Sequence, residues 1–169
     1  EPFSANMAGW SIADGGFDAR TGVMEASSVD SGKAVMRGVF GDFTLDVDVA
    51  IRDARDHGNV GVLLRASDVR DGADSYNGTY VGFDTGRVTL GKADGSWHEI
   101  ATKEMAISAD DMHHLRILVT NGIFFVYVDD MTTPRLIKSD DQFKSGYIGA
   151  RVYHAGARYS NFQIVHGPT

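Results

Sequence analysis

The amino-acid sequence predicts an all-β protein, a two-sheet antiparallel β-sandwich, and three observations support this prediction. Apolar and polar residues alternate with a period of two along short segments, as in FTLDVDVAI at 43–51. A helical period of 3.6 residues is nearly absent. Turn-forming sequences such as DTG, ADGS, TNG and DDMTTP separate the segments. Many short strands with this punctuation are typical of a sandwich or a barrel.

The predicted strands follow one another along most of the chain. In chain order they are KAVMRGV, FTLDVDVAI, NVGVLLRA, GTYVGFD, RVTLGK, HEIATKEM, HHLRILVT, IFFVYVDD, GYIGARVY and RYSNFQIV. Two hairpins are legible in this series, YVGFDTGRVTLGK and LRILVTNGIFFVYVDD. The second turns at Asn121-Gly122, a pair that suits the positive backbone angles of a tight turn.

Length and composition limit the kind of protein. A chain of 169 residues with 43% hydrophobic content is long enough for one buried core, so we expect a single domain over 1–169. The net charge of −7 argues against nucleic acid or an anionic membrane as partner, because both need clustered Lys and Arg. No apolar run approaches the roughly 20 residues of a membrane span. The start at EPFSANMAGW, without an initiator Met, predicts a module excised from a larger protein.

Strand alternation places several Arg and Tyr side chains on the sheet face opposite the core. The residues assigned to this outer face are Arg65, Tyr76, Tyr80, Tyr147, Arg151 and Tyr153. Arginine binds adjacent hydroxyl groups in a bidentate manner, and tyrosine rings cover the apolar C–H face of a sugar. The pattern therefore indicates a site for a polyol.

Acidic side chains have one of two roles beside these arginines. They accept hydrogen bonds from the sugar hydroxyls, or they form ion pairs with the arginines. Asp74, in the loop RDGADSY, is a candidate acceptor for sugar hydroxyls. The alternative is that the two arginines form ordinary surface ion pairs with Asp46, Asp48 or Asp84, each worth about 0 to 1 kcal/mol. Both interpretations stay open at this point.

Four motifs, GVLLRAS, YNGTYVGFD, YVDDMTTP and GYIGARVY, resemble the concanavalin A-like (LamG-like) jelly-roll modules appended to bacterial glycoside hydrolases. The resemblance runs from about Trp10 to Val165 and is closest to carbohydrate-binding module family 66, the fructan-binding type. It implies a monomeric, non-catalytic module of a secreted bacterial enzyme, extracellular or at the cell surface. Its implied ligand is the terminal sugar of a polysaccharide, best matched by a non-reducing-end β-fructosyl unit of levan. Arabinofuranosyl and galactosyl termini present the same vicinal hydroxyls and stay open.

The same resemblance implies roles for individual residues. Those that match by position are Arg65, Tyr80 and Arg151 on the sheet face and Asp74 and Tyr76 in the loop at the pocket rim. Glu25, in GVMEASS, is a further acidic candidate. We expect the arginines to donate to sugar hydroxyls, the carboxylates to accept from them, and the tyrosines, Tyr153 included, to pack on the ring.

Catalysis and protein binding are the alternative functions. Glycoside hydrolysis usually needs two carboxyl groups across a cleft, and Asp46 and Asp48 have a suitable spacing but lack flanking glutamates. A 3-keto-disaccharide hydrolase type, which has a similar fold, is a second enzymatic possibility. We expect no catalysis. The remaining alternatives are an adhesion module of the laminin-G type and a sandwich that only buttresses a linked catalytic domain.

No cofactor is predicted to be required. His113 and His114 lie beside acidic residues, but neighbouring residues of a strand point to opposite faces and do not easily share one ion. The acid-rich loops at 71–74, 128–130 and 139–141 leave a structural calcium open, although none has the spacing of a dedicated calcium loop. Trp10 and Trp97 are interpreted as packing residues rather than sugar platforms.

Overall fold

The computed structural model describes residues 9–20 and 22–167, and these residues form strands and loops without a helix. The strands are β1 Trp10–Asp14, β2 Phe17–Arg20, β3 Val23–Met36, β4 Phe43–Arg52, β5 Asn59–Ser67, β6 Asn77–Phe83, β7 Arg87–Asp94, β8 Trp97–Glu104, β9 His113–Thr120, β10 Ile123–Val128, β11 Leu136–Ser139 and β12 Tyr147–His166. The predicted all-β class is confirmed. Within these ranges there is consequently no helical segment able to span a membrane.

The strands pair antiparallel in the order β11-β10-β9-β4-β12-β5-β6-β7-β8, with β3 alongside β12 and with β1 and β2 paired to β3. The long strand β12 pairs with β5 through 147–153 and with β4 through 156–166. It therefore passes from one sheet into the other, and β3 follows it along its other edge. The result is a two-sheet jelly roll, in which β1 and β5 to β8 belong to one layer and β2, β4 and β9 to β11 to the other.

The main core lies between the two layers. Along β4 the odd-numbered residues 43–49 are fully buried and the even-numbered ones are half-buried, as the alternation predicts. They pack in one cluster with residues of the other layer such as Val62 and Val81. Complete burial of each such side chain contributes about 1.5–3 kcal/mol, so this cluster is the principal source of stability.

The structure differs from the sequence-based strand assignment near both ends of the chain. GYIGARVY and RYSNFQIV form one strand of 20 residues, interrupted by register shifts after Ala155 and Ser160. Strands β1, β2 and β11 were not predicted, because each has only four or five residues and so shows too little alternation to be recognised. The Asn121-Gly122 turn is confirmed, with φ of 51° and 75°.

A second, smaller apolar cluster covers the outer face of the β5–β8 layer. Its buried members are Leu63, Ala66, Tyr76, Tyr80 and Ala93, with Val35, Val69 and Trp97 packed against them. The segment 68–76 between β5 and β6 lies over this face, and we call it the rim loop. Because the outer face has its own packing, its polar side chains are held in fixed positions.

Candidate ligand-binding pocket

A pocket of about 290 Å³ opens on the outer face of the β5–β8 layer, beside the rim loop. Its lining residues come from β5 to β8, from β12 and from the loops around them. They are His57, Asn59, Ala73, Asp74, Tyr80, Gly82, Asp84, Arg87, Thr89, Trp97, Glu99, Arg151 and Tyr153. The volume lies near the lower limit for small-molecule sites, which suits one sugar unit rather than a long chain.

The floor of the pocket is a row of the sheet that contains two glycines. Arg151 on β12 is paired with Gly61 on β5, which is paired with Gly82 on β6. A Cβ atom on Gly82 would overlap the Tyr80 hydroxyl, and one on Gly61 would overlap the backbone of Val81. The missing side chains let the Tyr80 ring lie along the sheet, and they leave the depression above it.

Arg151 is the central polar group of the pocket, and it is only 4% exposed. Its Nε donates to the Ala73 carbonyl at 3.1 Å, Nη1 to Asn59 Oδ1 at 3.4 Å and Nη2 to Asp74 Oδ1 at 3.3 Å. A guanidinium has five N–H groups, so these three contacts leave donors for a ligand.

Aromatic rings surround the same guanidinium. Its Cζ lies 4.7 Å from the ring centroid of Tyr80, 5.7 Å from that of Tyr153, 5.8 Å from that of Trp97 and 5.9 Å from that of Tyr76. Each contact is within the range of a cation–π interaction, which is stronger when the cation is desolvated. The rings and the three hydrogen bonds together hold the guanidinium in one orientation.

Two buried phenols, one lining the pocket and one beneath it, are neutral groups. The Tyr80 hydroxyl donates to Asn59 Oδ1 at 2.6 Å, and burial raises the pKa of Tyr80 far above its ordinary value. Burial also raises the pKa of Tyr76 to about 12. The Tyr76 hydroxyl is buried without a hydrogen-bond partner among the described residues. Both phenols therefore remain protonated at neutral pH and add no negative charge below Arg151.

Three carboxylates and the indole ring of Trp97 complete the lining of the pocket. Asp74, Asp84 and Glu99 line the pocket, and Asp84 is fixed by the backbone N–H groups of Gly86 and Arg87 at 2.8 and 2.9 Å. The Trp97 ring lies against Gly91, where a Cβ would overlap it, and meets Tyr80 edge-on at 5.8 Å. Donors, acceptors and an aromatic wall around one small volume can bind a polyhydroxylated ring.

The structure brings most of the candidate site residues together. Asp74, Tyr80, Arg151 and Tyr153 line the pocket, and Tyr76 lies beneath it against Arg151. Their role in ligand binding stays a prediction. Trp97, interpreted from the sequence as a packing residue, lines the pocket as well. Sequence reasoning also missed Asn59 and Glu99, whose positions depend on pairing between strands rather than on any local motif.

Arg65 does not lie on the outer face, and the interpretation from alternation was wrong for this residue. It has a φ of 50° and lies within register shifts of β5 against both β6 and β12. This bulge turns the side chain toward Phe124 of the main core, where the guanidinium lies 5.7 Å above the ring. Arg65 there donates to the Gly41 and Phe143 carbonyls at 2.8 and 3.0 Å and to Asp42 at 3.0 Å.

Glu25 also lies away from the pocket. It is paired with Arg158 across β3 and β12, in the half of β12 that pairs with β4, and the two side chains are 3.3 Å apart. The surface ion pairs considered for the two arginines are likewise not formed with the residues named from the sequence, since Arg65 pairs with Asp42 and Arg151 with Asp74.

The histidine pair divides between two faces, as predicted. His113 contacts Asp129 through Nδ1 at 2.7 Å and the Ser108 carbonyl through Nε2 at 2.8 Å. His114 contacts Asp48 and Asp46, each at 2.7 Å. In the part of the chain that the structure describes, no three His, Asp or Glu side chains are arranged to hold a metal ion.

The comparison with protein families decides the relationship of this chain. A family model described as the 3-keto-alpha-glucoside-1,2-lyase-like domain matches residues 3–165. The chain belongs to that family. The chain is also 30% identical over 167 residues to the levanase of Bacillus subtilis (strain 168). The match covers 95% of this chain and 23% of the levanase, so the chain corresponds to less than a quarter of that protein.

Solved structures confirm the fold of the chain. The carbohydrate binding module CBM66 from Bacillus subtilis superposes with a TM-score of 0.84 at 24% identity, covering 96% of this chain and 99% of the other. The VIP36 exoplasmic/lumenal domain, in its Ca2+/Man-bound form, superposes with a TM-score of 0.73 at 10% identity, covering 95% and 84%. The resemblance seen in the sequence motifs is thereby confirmed at the level of the fold.

Proposed function

We propose that this protein is a non-catalytic carbohydrate-binding module that recognises the terminal sugar of a polysaccharide. The observation that carries the proposal is Arg151, a buried guanidinium with unused donors, enclosed by aromatic rings and flanked by the carboxylate of Asp74. Its donors suit sugar hydroxyls, and the half-buried Tyr153 and Trp97 offer ring surface to the C–H face of the sugar.

The way the rim loop borders the pocket supports recognition of a chain end. The loop is bonded across the sheet, through the Gly72 carbonyl to Lys33 and through the Ala73 carbonyl to Arg151. The loop therefore forms a wall at one side of the pocket. In this proposal a terminal sugar of the polysaccharide, rather than an internal one, occupies the pocket. The preferred ligand is a non-reducing-end β-fructosyl unit, supported by the 30% identity to a levanase. Arabinofuranosyl and galactosyl termini are the competing ligands.

The wider setting of the module is part of the same proposal. The relationship to one segment of a levanase supports a module that is covalently linked to a catalytic domain in a secreted enzyme. In this proposal the module itself is a monomer. Few hydrogen bonds to one sugar give weak binding, about micromolar to millimolar, and multiple chain ends would add avidity. Binding needs no cofactor, and a calcium ion of the kind named for the VIP36 domain would be structural.

One arrangement outside the pocket resembles a hydrolytic triad but does not fit that chemistry. Ser108 Oγ lies 3.3 Å from His113 Nε2, and His113 Nδ1 lies 2.7 Å from Asp129. Both ring nitrogens face oxygen acceptors, because Nε2 also contacts the Ser108 carbonyl. Burial opposes a charged ring, but these contacts outweigh it and raise the pKa of His113. The Ser108 carbonyl can only accept, so Nε2 carries the proton toward it and has no lone pair with which to take a proton from Ser108.

A lyase acting on a 3-keto-glucoside is the second candidate function. The family match favours it, and the pocket contains His57, Asp84 and Glu99 as titratable groups. Such a reaction needs a base that reaches a substrate proton, within about 2.6–3.2 Å. The two candidates differ in one measurable respect, since only the lyase consumes its ligand.

The test is calorimetric titration of the domain with levan, inulin, arabinan and galactan, alongside product analysis with a 3-keto-glucoside. We expect heat with a fructan and no turnover. Tyr153→Ala should weaken binding by about 5- to 10-fold, because a ring contact of about 1 kcal/mol is lost from a half-buried side chain. Tyr127→Ala, on β10, is the matched control and should bind normally. Heat with none of the glycans, or turnover of the 3-keto-glucoside, would contradict the proposal.

A further inference from the structure

Lys33 is a buried cation outside the pocket lining, and it lies beside Arg151 on the neighbouring strand. It is 0% exposed, and it is the cross-strand partner of Arg151 in the pairing of β3 with β12. A buried charge is costly unless it is paired and hydrogen-bonded. A second cation beside Arg151 adds repulsion, so the contacts of Lys33 must compensate for both effects.

Lys33 and Asp14 together hold the backbone of Gly72. Lys33 Nζ donates to Asp14 Oδ2 at 2.8 Å and to the Gly72 carbonyl, while the Gly72 N–H donates to the same carboxylate oxygen at 3.1 Å. Ser31 Oγ donates to that oxygen at 2.6 Å. Both backbone polar groups of one loop residue are thus bonded to one buried ion pair.

The loop residue held in this way has a restricted conformation. Gly72 has a φ of 103°, and a Cβ added to it would lie 2.8 Å from Ser75 Oγ. The Ser75 N–H donates to the Gly72 carbonyl, and the Arg70 N–H to the Ser75 carbonyl, so the rim loop is a closed turn around this point. Fixing Gly72 therefore fixes the residues on both sides of it.

The two residues after Gly72 are those that hold Arg151. The Ala73 carbonyl and the Asp74 carboxylate accept from its Nε and Nη2. A continuous series of contacts consequently leads from Asp14 and Lys33, through the rim loop, to the guanidinium in the pocket. Neither Asp14 nor Lys33 lines the pocket.

We infer that Asp14 and Lys33 are positioning residues, which set the ligand affinity of the pocket through the rim loop without contacting the ligand. The inference rests on the proposed sugar-binding function. A pocket whose loop is in place only part of the time binds with an affinity equal to its full affinity multiplied by that fraction of time. If the loop without its anchor is in place about a tenth of the time, affinity falls about 10-fold.

The charge state of the pair agrees with this role. Burial opposes ionisation of Asp14, but the hydrogen bonds with Asp71, Lys33 and Ser31 outweigh burial and lower its pKa to about 2. Burial lowers the pKa of Lys33, and Asp14 acts in the opposite direction. The carboxylate is therefore charged at neutral pH and offsets the lysine that lies beside Arg151.

A purely structural role and a positioning role predict different ligand affinities when the pair is replaced. Only the positioning role predicts that affinity falls while stability is kept. Replacing a buried ion pair by apolar residues of similar volume is often neutral for stability, whereas removing one partner is strongly destabilising. The double variant Asp14→Leu/Lys33→Met keeps the packing but removes both bonds to Gly72. We expect a melting temperature close to that of the wild type and an affinity for the fructan that is about 10-fold lower.

The control is the same replacement at a second lysine–aspartate pair, which is partly buried. Lys92 and Asp140 lie 2.7 Å apart, and neither lines the pocket. Lys92→Met/Asp140→Leu should leave affinity unchanged. Gly72→Ala disturbs the loop while leaving the ion pair in place, and its effect should not add to that of the double variant, because both act through one loop. Unchanged affinity in the double variant, or additive losses, would overturn the inference.

Amide hydrogen exchange gives a readout that needs no ligand. We expect faster exchange at 72–76 in the Asp14→Leu/Lys33→Met variant and wild-type exchange there in the Lys92→Met/Asp140→Leu control. Wild-type protein that binds no glycan would refute the proposed function alone, and exchange would then decide the anchoring. Equal exchange in the wild type and the double variant would refute the anchoring, whatever the ligand.

Discussion

Replacing Arg65 by Met separates the two arginines that the sequence places in one site. Arg65 is 3% exposed and donates three hydrogen bonds, to two carbonyls and to Asp42. Methionine fills a similar volume but makes none of these bonds. The expected result is a large loss of stability with little change in ligand affinity.

The magnitude follows from the contacts that the substitution leaves unpaired. Removing one partner of a buried ion pair costs about 3–5 kcal/mol. Asp42 is partly exposed and can regain water, whereas the Gly41 and Phe143 carbonyls lose a charged donor, so we adopt the lower half of that range. In a domain of this size 1 kcal/mol corresponds to about 2–4 °C, so the melting temperature should fall by about 6–16 °C.

The assay combines differential scanning calorimetry with titration of a fructan well below the melting transition, where the variant is folded. Arg151→Met serves as the matched comparison, because it makes the same substitution at the arginine that lies in the pocket. We expect Arg65→Met to melt earlier and bind normally, and Arg151→Met to lose binding. If Arg65→Met keeps its melting temperature and loses its affinity, Arg65 belongs to the ligand site and the burial argument is wrong.

Two further predictions concern the pocket floor and the histidines. Gly82→Ala should abolish measurable binding and lower the melting temperature, because its Cβ would overlap the buried Tyr80 hydroxyl; normal titration heat would contradict this. Stability should fall as the pH rises above about 6.5. Burial disfavours charged His113 and His114, but their carboxylate contacts prevail and raise both pKa values, so their contribution is full below about 6.5 and is lost as pH rises through the folded-state values. Thermal melts check this, and a melting temperature that rises with pH there would contradict it.

The parts of the site that could be predicted are those on regular strands. Tyr80 on β6 and Arg151 on β12 obey simple alternation, so their shared face is readable from the sequence. Asp74 was found from the composition of a loop and from a family resemblance. Asn59 could not be found in this way, because its part in the pocket depends on its contacts with Tyr80 and Arg151.

Arg65 shows the limit of alternation as a method. One bulge in β5 is enough to send its side chain to the opposite side of the sheet, and the sequence LLRASD carries no glycine or proline that marks the irregularity. An arginine at a φ of 50° is uncommon, and here three hydrogen bonds hold it. Such a conformation is decided by tertiary contacts, which local sequence does not encode.

The depression itself, in contrast, has a signal in the sequence. Alternation places Gly61, Gly82 and Gly91 on the outer face, because their neighbours Val62, Val81 and Leu90 belong to the main core. Glycine within a strand is unfavourable and often marks a close approach by another group. Here the groups are the Tyr80 and Trp97 rings, which lie on Gly82 and Gly91 and form the wall around Arg151. Glycines on one face of three consecutive strands, beside an outward arginine, therefore indicate where such a sandwich has its pocket.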